Sequence, residues 1–334
     1  MKWVTAFVLI ALVNAGGSAN AQAVKKIKMT IPVIAHSMLP VFIAQNKNFF
    51  ADERLEVEVN STNGGGPDIR ALIAGDVDFS FTTGDNVILA HQEGKKLTMV
   101  MSGLNRLFIN WAIHKDAAKA KGITESTPLT EKIKALKGMT IGITNAGALT
   151  AHLASFVVRK AGLNPQSDVN IVPIGSGPTW LAALENRKVD VALTAPPTPD
   201  TAISRGYAIL FINNAKGEDA SISEFLMENL IVRPETVAKD QDSVRRVVRA
   251  LTRANQWSLK NTPEQVAAAL KPSMTTIAPD LLLSGVKAVL PTLSADGRTS
   301  EKSVQITQDI LEQAGILKKR APYAELVNND FLAK

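Results

Sequence analysis

The chain contains no cysteine. That absence excludes disulfides, thiol nucleophiles, iron–sulfur clusters and cysteine-based zinc sites, so stability must come from ordinary hydrophobic cores. Tyrosine occurs only 2 times and aromatic residues make up 5% of the sequence. Nucleic-acid surfaces that stack bases interleave aromatic with basic side chains. Here the basic residues stand apart in short clusters, Lys25-Lys26-Lys28, Lys95-Lys96, Arg245-Arg246 and Lys318-Lys319-Arg320. The formal charge of +6 therefore implies solubility and attraction for small anions, and no nucleic-acid partner. The 4 histidines, at positions 36, 91, 114 and 152, form no His-x-His or His-Glu-x-x-His pair, and no Gly-x-Ser-x-Gly elbow occurs. No catalytic residue, metal site or cofactor is expected. Beyond the N-terminus, no apolar run approaches the ~20 residues that span a bilayer.

What is present begins with an export signal. Lys2 supplies a positive charge, Trp3 to Val13 is apolar apart from Thr5, and Ala21-Gln22-Ala23 has the small-x-small form of a cleavage site. Residues 1–23 are read as a secretory leader cut after Ala23, which places the mature protein in the periplasm. The remaining chain, about 310 residues, exceeds what one compact core usually holds, so two domains are expected.

Strand-like and helix-like segments alternate through the first two thirds. Ile27 to Val33, Leu55 to Val59, Val77 to Phe81, Leu97 to Met101, Met139 to Ile143, Val169 to Ile174 and Val189 to Leu193 read as strands. Between them, Leu39 to Phe50, Pro67 to Ala74, Asp85 to His91, Ala148 to Ala161 and Thr179 to Asn186 read as helices. This alternation indicates parallel sheets covered by helices. After a strand-like Phe225 to Val232, the tail is helical: Pro234 to Lys239, Ser243 to Lys260, Pro263 to Leu270, Pro279 to Leu290 and Lys302 to Ala314. Its prolines suit first-turn positions. Ala71-Leu72-Ile73-Ala74-Gly75-Asp76-Val77-Asp78 corresponds to Ala183-Leu184-Glu185-Asn186-Arg187-Lys188-Val189-Asp190, so the two halves repeat one helix-to-strand plan. Lys119 to Thr130 and Ala215 to Ala220 are the loosest linker candidates.

Four segments together resemble a known family. They are Phe42-Ile43-Ala44-Gln45-Asn46-Lys47-Asn48-Phe49-Phe50 followed by Leu55-Glu56-Val57-Glu58; Gly64-Gly65-Gly66 leading to Gly75-Asp76-Val77-Asp78-Phe79; Leu136-Lys137-Gly138-Met139-Thr140-Ile141-Gly142 with Ala161-Gly162-Leu163; and Ala182-Ala183-Leu184 through Val189-Asp190 to Ala195-Pro196. In order and spacing they resemble the substrate-binding subunits of ABC importers for nitrate, sulfonates, taurine and thiamine pyrimidine precursors, with Asn48 where that family usually has glycine. The resemblance implies the two-lobed periplasmic-binding-protein fold (type II): two α/β lobes joined by two crossover strands, with a helical C-terminal tail. The crossovers would fall near Phe108 to Ile113 and Phe225 to Val232. Residues 24–109 and 231–334 would form lobe I, and residues 110–230 lobe II. It further implies a monomer that holds a small, anionic organic solute (a sulfonate, carboxylate or pyrimidine-like compound) in the interlobe cleft and delivers it to ABC permease subunits. An extracytoplasmic enzyme and a sensor-associated binding module on the same fold are the alternatives.

The candidate ligand-binding residues lie at strand ends. The turn Asn145-Ala146-Gly147-Ala148 with Thr150 opens a helix whose free N–H groups suit an anion; relatives often have a hydroxyl where this chain has Ala148. His36, Ser37 and Met38 follow the first strand, and His36 is either a ligand donor or a surface-loop residue. Gly65, in the glycine triplet, permits close backbone approach or forms only a turn. Thr82, Thr83 and Thr194 end strands in the two halves. Asp85 either caps a helix or holds a ligand amine, and Trp180 is either a stacking wall or a packing residue.

Overall fold

The computed structural model describes residues 23–62 and 64–333. The expected leader lies outside the described residues except for its last position. Ten strands, β1 (Lys25–Ile31), β2 (Leu55–Ser61), β3 (Phe79–Thr82), β4 (Thr98–Arg106), β5 (Asn110–His114), β6 (Thr140–Ile143), β7 (Asn170–Pro173), β8 (Val191–Thr194), β9 (Ala208–Ile212) and β10 (Glu224–Val232), form two five-stranded sheets. Their orders are β2-β1-β3-β10-β4 and β7-β6-β8-β5-β9. In the first sheet β1 runs parallel to β2 and β3, while β10 lies antiparallel between β3 and β4. The second repeats this plan, with β6 parallel to β7 and β8 and β5 antiparallel between β8 and β9. Helices link the parallel strands, as crossover connections require. The chain passes from one sheet to the other after β4 and returns after β9. Residues 224–230, assigned from sequence to the second lobe, therefore pair in the first sheet.

The repeat seen in the sequence is reproduced in hydrogen bonds. Asp78 donates its N–H to the Lys28 carbonyl at 2.9 Å and accepts the Lys28 N–H on its carboxylate at 2.9 Å. Asp190 does the same with Thr140, also at 2.9 Å each way. Each aspartate thus clamps the central parallel strand of its sheet. The turns before them also match: Gly75 and Arg187 both have positive φ, 87° and 56°.

Local chemistry explains several departures from the expected elements. The helix read over residues 39–50 is two, Leu39–Asn46 and Phe49–Asp52. Asn48 stands between them at φ 60°, in the left-handed region that asparagine tolerates better than most residues. Strand β9 and helices Lys115–Lys121 and Thr198–Ser204 were not anticipated. Helix Leu129–Ala135 overlaps the end of one expected linker. The two linkers are also fastened: the buried Lys132 ammonium donates to Glu218 Oε1 at 2.7 Å and to the Glu125 carbonyl at 2.9 Å.

The helical tail packs on the first lobe. Helix Gln241–Lys260 buries Val244, Val247, Val248, Leu251 and Ala254, at the spacing of a single apolar stripe, and lies against helix Leu39–Asn46. Arg249 and Arg253 on that helix pair with Glu53 and Asp52. Thr262 and Gln265 complete a capping box around Pro263 at the start of helix Pro263–Leu270.

Candidate functional site

The ends of β1, β3, β6 and β8 face one another across the space between the sheets, the usual ligand position in open α/β folds. A cavity there leaves about 60 Å³ open to water-sized molecules. The first lobe lines it with Pro32, Val33, Ser37, Gly64, Thr82 and Thr83; the second with Thr144, Ala148, Leu149, Thr150, Thr194 and Ala195. Ile109, on the first crossing between sheets, and Met227 and Glu228, on β10, form its floor.

Of the residues singled out in the sequence, the structure brings Ser37, Thr82, Thr83, Ala148, Thr150 and Thr194 to this cavity. Gly64, one position before the expected Gly65, lines it, while Gly65 opens helix Gly65–Ala74. The Thr150 hydroxyl is engaged within its own turn. Its Oγ1 accepts the Thr144 N–H at 3.0 Å and bonds the Thr144 hydroxyl at 2.8 Å, which fixes the strand-to-helix turn. Thr83 is similarly engaged, accepting from Asn86 Nδ2 at 2.9 Å.

Five expectations are corrected or decided. The anion turn lies on the rim: Ala146 and Gly147 are exposed, and Asn145 is half-buried close to Gly64 across the cleft. Ala148, not Asn145, occupies the N-cap of helix Leu149–Lys160. His36 is fully buried rather than on a surface loop, with Nε2 2.9 Å from the Leu282 carbonyl. Its neighbour Met38 is fully buried in the first lobe's core. Trp180 has no exposed surface and packs with Leu184, Val189, Ala192, Ala202 and Ala208, so it serves the core of the second lobe rather than a stacking wall. Asp85 neither caps a helix nor faces the cavity; Gly84 is the N-cap, and the Asp85 carboxylate meets His152 Nδ1 at 2.7 Å.

Sequence reasoning missed the acidic floor. Glu228 is 2% exposed, and its Oε2 has no hydrogen-bond partner. Ser37 adjoins it and favours its charged form, yet the Ser37 hydroxyl completes no hydrogen bond of normal geometry. Burial, the largest cause, raises the Glu228 carboxyl well above the ordinary range, and the nearby Asp68 and Asp85 raise it further. Burial likewise raises Asp68 to about 7, against the opposing influence of the Thr62 and Thr82 hydroxyls. The β10–β4 register shifts on either side of Glu228, which pairs with Leu104 while Asn229 pairs with Ser102. Such bulges re-aim a side chain. A signal existed in the sequence, since Glu228-Asn229 interrupts the apolar strand Phe225 to Val232. Among the described residues lining the cavity, Glu228 is the single ionisable one and none is basic.

Among the described residues, no group of acidic, histidine or cysteine side chains is placed to hold a metal ion, and no helix is long and apolar enough to cross a membrane. The family described as NMT1/THI5 like matches residues 35–266. Solved structures that share the fold include three that illustrate it. One, from Bordetella bronchiseptica RB50, has a TM-score of 0.80 at 20% identity, covering 92% of this chain and 95% of that one. The ligand-binding component of an ABC-type import system from Staphylococcus aureus has a TM-score of 0.73 at 15% identity, covering 92% and 97%. The alkanesulfonate-binding protein SsuA from Xanthomonas axonopodis pv. citri, bound to MOPS, has a TM-score of 0.71 at 16% identity, covering 92% and 99%.

Proposed function

The chain belongs to the NMT1/THI5-like family, and we propose that it is the solute-capturing component of an ABC-type importer, working in the periplasm as a binding protein without turnover. The observation that carries this reading is the cavity itself, walled by strand ends of two sheets that the chain connects by only two crossings. Such a cleft opens and closes by hinge motion at the connections. The closed form would be what the permease subunits recognise, and a monomer suffices for that cycle. With a free volume of about 60 Å³, the cavity is small for an organic solute, and the lobes would part to admit one. Residues 24–109 with 231–334, and 110–230 with β10 returned to the first lobe, would be the moving bodies. Ser37, Thr82 and Thr194 would touch the solute.

A thermal-shift screen of the mature protein against sulfonates, carboxylates, amines, pyrimidines and aromatic acids tests the reading. A ligand at 100 times its dissociation constant adds about 2.7 kcal/mol of stability, which is readily measured. If no class shifts the melting temperature, or if the expressed protein stays in the cytosol, the reading fails.

A further inference from the structure

Three side-chain oxygens of residues lining the cavity are buried and complete no hydrogen bond of normal geometry: Glu228 Oε2, Ser37 Oγ and Thr82 Oγ1. Their residues are 2%, 1% and 0% exposed. Asp68 Oδ2, from the buried carboxyl beside Thr82, is also unpartnered. Unpaired buried polar atoms are rare in folded proteins because each forfeits its hydration without return. Three of them on residues that line one cavity leave hydrogen-bonding capacity there for something that enters as the lobes part.

Resting on the reading above that a small solute is held between the lobes, we propose that this solute presents an N–H donor group (an amine, amidine or amino-substituted ring) to Glu228, and that Glu228 decides specificity. A solute whose only polar group is a sulfonate, nitrate or carboxylate would meet no basic side chain on the cavity wall and, lacking a donor, could not satisfy the oxygen that Glu228 leaves unpaired. An N–H group instead satisfies the carboxyl. A carboxyl that keeps its proton both gives and takes a hydrogen bond, which matches the paired donor and acceptor of an amidine or aminopyridine; an ionised one pairs with an ammonium. The rest of the wall, Val33, Ile109, Leu149 and Met227, is apolar and suits a carbon skeleton behind that donor.

Titration calorimetry of the mature protein with four compounds of similar size provides the test: benzamidine and 2-aminopyridine as donors, benzenesulfonate and benzoate as donor-free anions. The donors are expected to bind and the anions not. Glu228→Gln, which keeps the shape and removes the acid, is expected to weaken benzamidine about tenfold or more. Thr82→Val leaves the carboxyl in place and should cost less. Binding of benzenesulfonate or benzoate while both donors give no heat overturns this inference and leaves the import reading standing. Unchanged benzamidine affinity in folded Glu228→Gln overturns it as well. Failure of all four compounds, with the broad screen yielding only solutes that lack an N–H group, does the same. A blank in every class of the screen defeats the import reading itself.

Discussion

Asp85 and His152 meet across the cleft, Oδ2 to Nδ1 at 2.7 Å, with both side chains shut off from water. They lie 67 positions apart in the chain. One opens helix Asp85–Gln92 beside the first sheet, and the other sits on helix Leu149–Lys160 beside the second. The contact joins an element beside one sheet to an element beside the other, so loss of the pair should loosen their relative position more than either part alone.

His152→Ala should therefore favour opening. It strands the Asp85 carboxylate at a buried site, and parting of the lobes gives that carboxylate water. The stability loss should stay below the roughly 3–5 kcal/mol of a broken buried pair whose surroundings cannot move. The solution radius of gyration by X-ray scattering should rise. An unchanged scattering profile would show that the pair does not hold the lobes together.

Asp68 gives the molecule a pH dependence. Its carboxyl titrates at about 7 when folded, against 3.8 for the unreacted group, so the folded state holds this proton longer than the unfolded one. The group's contribution to stability is fully present below the unfolded value and is lost as pH rises towards about 7. A shift of this size corresponds to something on the order of 4 kcal/mol. Asp68→Asn should flatten the fall in urea-unfolding stability between about pH 4 and 7 and stabilise the protein above that range. Parallel curves for the two proteins would rule out this role.

Lys132 should be among the costliest lysines to remove. It is 2% exposed and ties the segments around residues 125 and 218. Lys132→Ala leaves Glu218 without this cation and should cost about 3–5 kcal/mol, read from the midpoint of chemical denaturation. Lys134→Ala, on the same helix but exposed, serves as the control and should fall within about 0.5 kcal/mol of the parent.

Gly103 is fixed by packing. A Cβ there would lie 2.3 Å from Phe81 Cζ and 3.3 Å from the Glu228 carbonyl. Gly103→Ala should lose about 1–3 kcal/mol by overpacking and disturb the bulge that aims Glu228. Gly147, at φ 77° with nothing within 4 Å of its Cβ direction, should lose only about 1–2 kcal/mol on change to alanine, from the left-handed backbone. With the turn on the rim, solute affinity should be kept in Gly147→Ala and reduced in Gly103→Ala. The reverse order would return the anion turn to the site.

The periodic features could be read from the order of residues. Alternating strands and helices, the proline-started helices of the tail, the Asp78 and Asp190 repeat and the hydroxyls at strand ends were all legible, because each depends on neighbours within a few residues or on a local pattern. The tertiary structure alone decided where side chains at those positions face. Thr150 turned its hydroxyl back on Thr144, Trp180 went to the core, and His36 was drawn to the Leu282 carbonyl. Each outcome is a contact with a partner distant in sequence or on the far side of a turn. The acidic floor is the clearest case. Glu228, Asp68 and Asp85 stand on three different elements, and no spacing relates them. Burial shared across two sheets changes the proton affinity of Glu228 and Asp68, and burial is a property of the folded chain alone.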